Sequence, residues 1–77
     1  MPLVTSKGLL EKALQEGYAI GAFNANNLEM VQAIVETAEE ERSPVIVQIS
    51  QGAIKYGGAD YFAAIVKVAA EKATVPV

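Results

Sequence analysis

The chain has 77 residues, 52% hydrophobic and 19% charged, the composition of a soluble globular protein, and makes one small domain at most. A net charge of -3 disfavours nucleic acid or an anionic membrane surface as partner, but leaves open a phosphorylated metabolite held by backbone N–H groups and local cations. The absence of Cys and His excludes a disulfide framework and a thiolate metal site, and removes the commonest metal ligand and acid–base residue.

The start, Met1-Pro2-Leu3-Val4, has no basic stretch followed by a long apolar run, so no signal peptide is expected. No apolar run approaches the roughly 18 residues of a membrane span, and a cytoplasmic protein is the expectation. A first helix is predicted over Ser6 to Glu16, with Leu9, Leu10, Ala13 and Leu14 on one side. Thr5 or Ser6 serves as its N-cap, and Gly17 stands where a left-handed residue would end it. Tyr18 to Phe23 reads as the first strand, opening into the polar mouth Asn24-Ala25-Asn26-Asn27.

Asn26 and Glu29 stand at capping-box separation before a second helix over Leu28 to Glu41. Its apolar face is Val31, Ile34, Val35 and Ala38. Glu36, Glu39, Glu40 and Glu41 read as a solvated face, unfavourable near a helix C-terminus and offset only by Arg42. Pro44 stops that helix, and Val45 to Ile49 forms the second strand. Its almost continuous apolar run predicts a strand covered on both faces, as in parallel α/β sheets. It too ends in a polar mouth, Ser50-Gln51-Gly52. A short helical turn over Gln51 to Tyr56, a Gly57-Gly58 break and a third long helix over Ala59 to Ala73 follow, the last with Phe62, Ile65, Val66 and Ala69 inward. Thr74 to Val77 begins another strand.

Strand starts near Tyr18, Pro44 and Val75 are separated by 26 and 31 residues, one βα unit each. A closed (β/α)₈ barrel takes about 250 residues. The fold expectation is therefore α/β: the first two to three βα units of a TIM barrel, preceded by a short N-terminal helix, with the barrel incomplete. In such folds ligands sit at the carboxyl ends of the strands, which makes the two polar mouths the place to look for chemistry.

In order, Gly17-Tyr18-Ala19-Ile20-Gly21-Ala22-Phe23-Asn24-Ala25-Asn26-Asn27, the Glu39-Glu40-Glu41-Arg42-Ser43-Pro44-Val45-Ile46 junction, Ser50-Gln51-Gly52-Ala53, Gly57-Gly58 and Val75-Pro76-Val77 resemble the amino-terminal segment of class II (zinc-dependent) fructose-bisphosphate aldolases. The Met1-Pro2-Leu3-Val4 opening fits as well, so the resemblance covers essentially the whole chain. It implies that residues 1–77 are the N-terminal part of a single TIM-barrel domain, cut before the metal site. The implied reaction is reversible cleavage of fructose 1,6-bisphosphate to dihydroxyacetone phosphate and glyceraldehyde 3-phosphate. Zinc in the intact parent acts as a Lewis acid that polarises the ketone. The resemblance places a His-Leu-Asp-His motif, with a proton-shuttling aspartate and the first zinc histidine, just after Val-Pro-Val, so no catalytic residue and no metal ligand is expected within this chain. Alone it is expected to be inactive. A tagatose-bisphosphate aldolase segment, or a non-catalytic self-associating βα module, are the alternatives.

Two substrate contacts carry over, Asn24 at the mouth of the first strand and Ser50 at the mouth of the second. From the residues alone, Asn24 reads more readily as a turn residue capping the next helix, and Ser50 divides evenly between N-cap and ligand contact. With the resemblance, both become substrate-binding residues. Gln51 stands where relatives carry Gln, Glu or Asn, and divides between loop ordering and substrate contact. Asp60 and the helical glutamates have no partners at metal-ligand spacing. Lys55 with Gly57-Gly58 lacks the spacing of a phosphate loop. Tyr56, Tyr61 and Phe62 read as packing residues. The expected partners are a phosphorylated ketose or triose and further copies in a homo-oligomer.

Overall fold

A computed structural model describes residues 3–77; Met1 and Pro2, the first half of the Met1–Val4 opening, lie outside the described residues. The chain runs α1 (Ser6–Glu16), β1 (Gly21–Asn24), α2 (Leu28–Glu40), β2 (Val45–Gln48), α3 (Gln51–Gly57) and α4 (Ala59–Lys72). β1 and β2 pair in parallel, with Gly21 beside Val45, Ala22 beside Ile46, Phe23 beside Val47 and Asn24 beside Gln48. This is the βα alternation expected, in an α/β segment consistent with part of a TIM barrel.

α1 stops where the sequence places a glycine. Gly17 adopts φ 77, and both its N–H and that of Tyr18 turn back to the Ala13 carbonyl. Thr5, not Ser6, is the N-cap residue, and its side chain makes no cap hydrogen bond. Ala13 is the residue α1 buries; Leu10 and Leu14 on the same side stay exposed, Leu14 by 85%. The first strand is later and shorter than Tyr18 to Phe23. Tyr18 follows the helix end, and pairing starts only at Gly21 because that is where Val45 lies alongside.

α2 buries the predicted stripe: Val31 is fully enclosed, Val35 and Ala38 are nearly so, and Ile34 packs against them. Its cap differs from the expected Asn26–Glu29 box. Asn27, with extended backbone, accepts a 2.8 Å hydrogen bond from the Met30 N–H, so the three-residue cap spacing begins one residue later. Glu29 remains in the first turn, where its charge suits the helix dipole. At the other end Arg42 takes the left-handed conformation (φ 52), and the Ser43 N–H reaches back to the Ala38 carbonyl at 3.0 Å.

The hydrophobic core lies between α2, α4 and one face of the sheet. Ala25, Val31, Val35, Ala38, Val45, Ala70, Ala73, Val75 and Val77 form it, joined by the half-buried Val47, Ile49 and Ile65. The expectation that β2 is covered on both faces is corrected here. Only Val45 is buried, Ile46 and Val47 are half-buried, and every residue of β1 is exposed. Val45 and Val47 pack into the core with the helices, while on the opposite side Ala22, Asn24 and Gln48 are exposed and Ile46 is half-buried. α4 buries Phe62 and Ala70, with Ile65, Val66 and Ala69 lining the same face as predicted. α3 ends close against it: a Cβ on Gly57 would stand 2.6 Å from the Phe62 ring. Residues 74–77 form no strand ladder, yet they lie against β2, where the Val45 N–H donates to the Pro76 carbonyl at 3.1 Å.

Candidate functional site

The two strands end side by side. Side chains in register across a parallel pair share a face, so Asn24 and Gln48 stand on one side of the sheet, neighbours across strands about 4.8 Å apart. Alternation from Val45 and Val47, which face the helices, puts that pair on the opposite side. The Ala25 N–H, 3.0 Å from the Gln48 carbonyl, ties the two mouths together just beyond the ladder. Asn24, Gln48, Ser50 and Gln51 are all exposed.

Asn24 is not the cap of α2; Asn27 holds that role, so the turn-and-cap reading of Asn24 does not describe this chain. Ser50 is the N-cap of α3, its Oγ accepting from the Ala53 N–H at 3.1 Å. That role uses one lone pair. A hydroxyl has a second lone pair and an O–H donor, so capping fixes where Oγ sits and leaves its hydrogen for a ligand. Gln51 is the first residue of α3, and its exposed side chain forms no hydrogen bond among the described residues. Gln48 was not among the candidates from sequence. The signal was present in the alternation of Val45-Ile46-Val47-Gln48, which places it on Asn24's face once the register is known.

These four side chains are amides and a hydroxyl. They can donate and accept hydrogen bonds to hydroxyl or phosphate oxygens, but they do not titrate near neutrality and cannot shuttle a proton. Among the described residues no group of three or more His, Cys, Asp or Glu could hold a metal ion. With no His or Cys in the sequence, the donor set of this chain does not fit zinc. Open grooves lie elsewhere, two of them larger than a third, which runs past Leu28, Ile65 and Val68. One of the two, about 460 Å³, runs between α2 and α4 past Glu36, Glu39 and Lys72; the other, about 580 Å³, is lined by Ala19, Phe23, Ile34, Ala38, Pro44 and others on the helix side of β1. None of the three reaches Asn24, Ser50 or Gln51.

The family model for class-II fructose-bisphosphate aldolase matches residues 4–77. The chain belongs to this family. It is 55% identical over 75 residues to a fructose-bisphosphate aldolase of Thermus caldophilus, covering 97% of this chain and 24% of that protein. A probable fructose-bisphosphate aldolase of Bacillus subtilis (strain 168) is 52% identical over 80 residues, covering 100% and 28%. A sulfofructosephosphate aldolase of Alkalicoccus urumqiensis is 39% identical over 77 residues, covering 100% and 27%. The chain thus spans about a quarter of the length of the curated relatives it matches. The resemblance to class-II aldolases read from its motifs holds at the level of the family.

Proposed function

We propose that this segment supplies the opening βα units of a TIM barrel that, as a whole protein, reversibly cleaves fructose 1,6-bisphosphate to dihydroxyacetone phosphate and glyceraldehyde 3-phosphate. The observation that carries the reading is the convergence of Asn24, Gln48 and Ser50 at one carboxyl edge of a parallel pair, in a chain of this family. Asn24 and Ser50 hydrogen-bond the substrate's hydroxyl or phosphate oxygens, Gln48 adds an amide beside Asn24, and Gln51 orders or extends the same mouth. Their task is to bind and orient.

The class-II family implies zinc, whose chemistry when bound is to polarise the ketone. None of these 77 residues is assigned to hold it. Fructose bisphosphate is preferred to tagatose bisphosphate because the relatives at 52–55% identity carry that name. Glycolytic use, a cytoplasmic location and a homo-oligomeric state belong to the same proposal; no helix among the described residues is long and apolar enough to cross a membrane.

The test is a coupled aldolase assay on the whole protein with fructose and tagatose 1,6-bisphosphates, comparing wild type with Asn24→Ala. Turnover of the fructose ester that falls in the variant supports the reading. An Asn24→Ala enzyme with unchanged kcat/KM removes Asn24 from the site.

A further inference from the structure

The acidic end of α2 reads as a solvated face, yet one of its carboxylates is fully engaged. Glu39 accepts three hydrogen bonds from residues 35 and 36 positions away: the Thr74 N–H at 2.7 Å and the Val75 N–H at 3.3 Å on Oε1, and the Thr74 hydroxyl on Oε2. Two consecutive backbone donors and a side-chain donor thus converge on one anion, in the manner of a backbone nest.

The location disfavours a negative charge. Glu39 sits in the last turn of α2, where the dipole is negative, and Glu36 and Glu40 share its groove. Across the groove α4 presents Lys72, and Arg42 follows the helix end. Even so, the Thr74 hydroxyl and the Thr74 N–H hold the Glu39 carboxyl below its ordinary value of 4.5, outweighing the opposing effect of desolvation, with lesser help from Val75 and Arg42.

Residues 74–77 form no strand ladder, but they lie against the start of β2, where the sequence expects a third strand to begin. Val75 and Val77 are buried, and the Pro76 carbonyl takes the Val45 N–H. The Val77 carbonyl also takes the Val4 N–H at 3.1 Å, so apart from Glu39 two backbone hydrogen bonds among the described residues hold this four-residue segment against sliding. A slip of one residue would turn Pro76 inward and both valines outward. We propose that Glu39 is the positioning residue for this segment: its carboxylate latches Thr74 and Val75 to the end of α2 and so sets the register in which residues 75–77 meet β2. The latch joins the helix before β2 to the segment after α4, at the amino edge of the sheet. It therefore controls the height at which anything following Val77 arrives beside Gln48 and Ser50. It stands on the hydrogen bonds and does not depend on the aldolase reading.

The sign of its pH dependence follows from the lowered folded pKa. The contribution is fully present above pH 4.5 and is lost as the pH falls through the folded value beneath it.

The experiment is residue-resolved amide exchange on the whole protein between pH 3 and 7, expressed as protection relative to the unfolded rate. In the wild type, Thr74 and Val75 should be protected above pH 4.5 and lose about fivefold or more in protection at the acid end. Glu39→Gln should flatten that pH profile and Glu39→Ala should abolish the protection. Thr74→Ser, which keeps the hydroxyl, should restore what Thr74→Val loses. Glu40→Gln should behave as wild type. The Val45 amide, bonded to the Pro76 carbonyl, should lose protection with Glu39→Ala, which reads the register beyond the latch itself. Unfolded exchange rates at Thr74 and Val75 in the wild type at pH 6 would overturn the latch. An unchanged Val45 amide in Glu39→Ala would overturn its positioning role.

Discussion

Replacing Ser50 separates two roles that the structure superimposes on one oxygen. Its Oγ caps α3 through the Ala53 N–H, and the residue follows Gln48 by two positions at the carboxyl end of β2. Ser→Ala at an N-cap costs about 0.5–2 kcal/mol, whereas Ser→Gly costs only a few tenths. α3 has seven residues, too short to persist without its cap and its contact with α4, so the alanine variant should fray the turn that carries Gln51. The substrate contact, if made to a charged oxygen, is worth on the order of 1–3 kcal/mol, or about five- to 150-fold in kcat/KM. In the full aldolase, Ser50→Ala and Ser50→Gly should therefore lose similar amounts of kcat/KM while differing in thermal midpoint, with glycine nearer wild type. Zinc content should be unchanged in both, since Ser50 is not a proposed ligand. Steady-state kinetics beside melting curves check this. A glycine variant with wild-type kcat/KM beside a crippled alanine variant would show that Oγ acts only as a cap.

Three further outcomes follow from packing. Val45 is 3% exposed and Val47 only half-buried, so Val45→Asp should destabilise the chain more than Val47→Asp in a urea titration; equal effects would contradict one-faced packing of β2. Gly57→Ala gains at most about 1 kcal/mol of helix propensity but drives a Cβ to 2.6 Å from the Phe62 ring, so a net loss of about 1–3 kcal/mol is expected, relieved by a simultaneous Phe62→Leu. With β1 an edge strand and Phe23 52% exposed, the 77-residue chain alone should self-associate in analytical ultracentrifugation, and Phe23→Lys should shift it toward monomer. A wild-type chain that sediments as a monomer at high concentration would refute that.

Much of this architecture is legible in the residues because local rules suffice for it. Val31, Ile34, Val35 and Ala38 recur at helical spacing, Gly17 can take a positive φ, and Pro44 separates α2 from β2. The misses share a cause: each depended on what lies across space. Tyr18-Ala19-Ile20 has strand composition, but pairing begins only where Val45 lies opposite. Asn26 and Asn27 are the same residue type, and only the turn leaving β1 decides which becomes the cap. The apolar run of β2 reports what that strand is suited to, not what covers it in 77 residues, so burial on both faces was expected and one face was found.

The same distinction governs the two polar features of the chain. At the carboxyl edge, alternation along each strand already assigns Asn24 and Gln48 to faces, and the parallel register adds only that they are the same face. Short-range pattern therefore carries most of the site. At the amino edge, nothing near Glu39 in sequence distinguishes it from Glu36, Glu40 or Glu41; its donors are 35 residues away, and α4 must first be placed before they arrive. Composition made the whole acidic run a solvated face, and for three of its four glutamates no hydrogen bond or ion pair among the described residues contradicts that. The exception is the glutamate whose position along α2 faces the end of α4. Opposite edges of the sheet thus differ in kind: exposed polar side chains stand at the carboxyl edge, where the proposed substrate contacts lie, and a hydrogen-bonded carboxylate at the amino edge ties residues 74 and 75 to the end of α2.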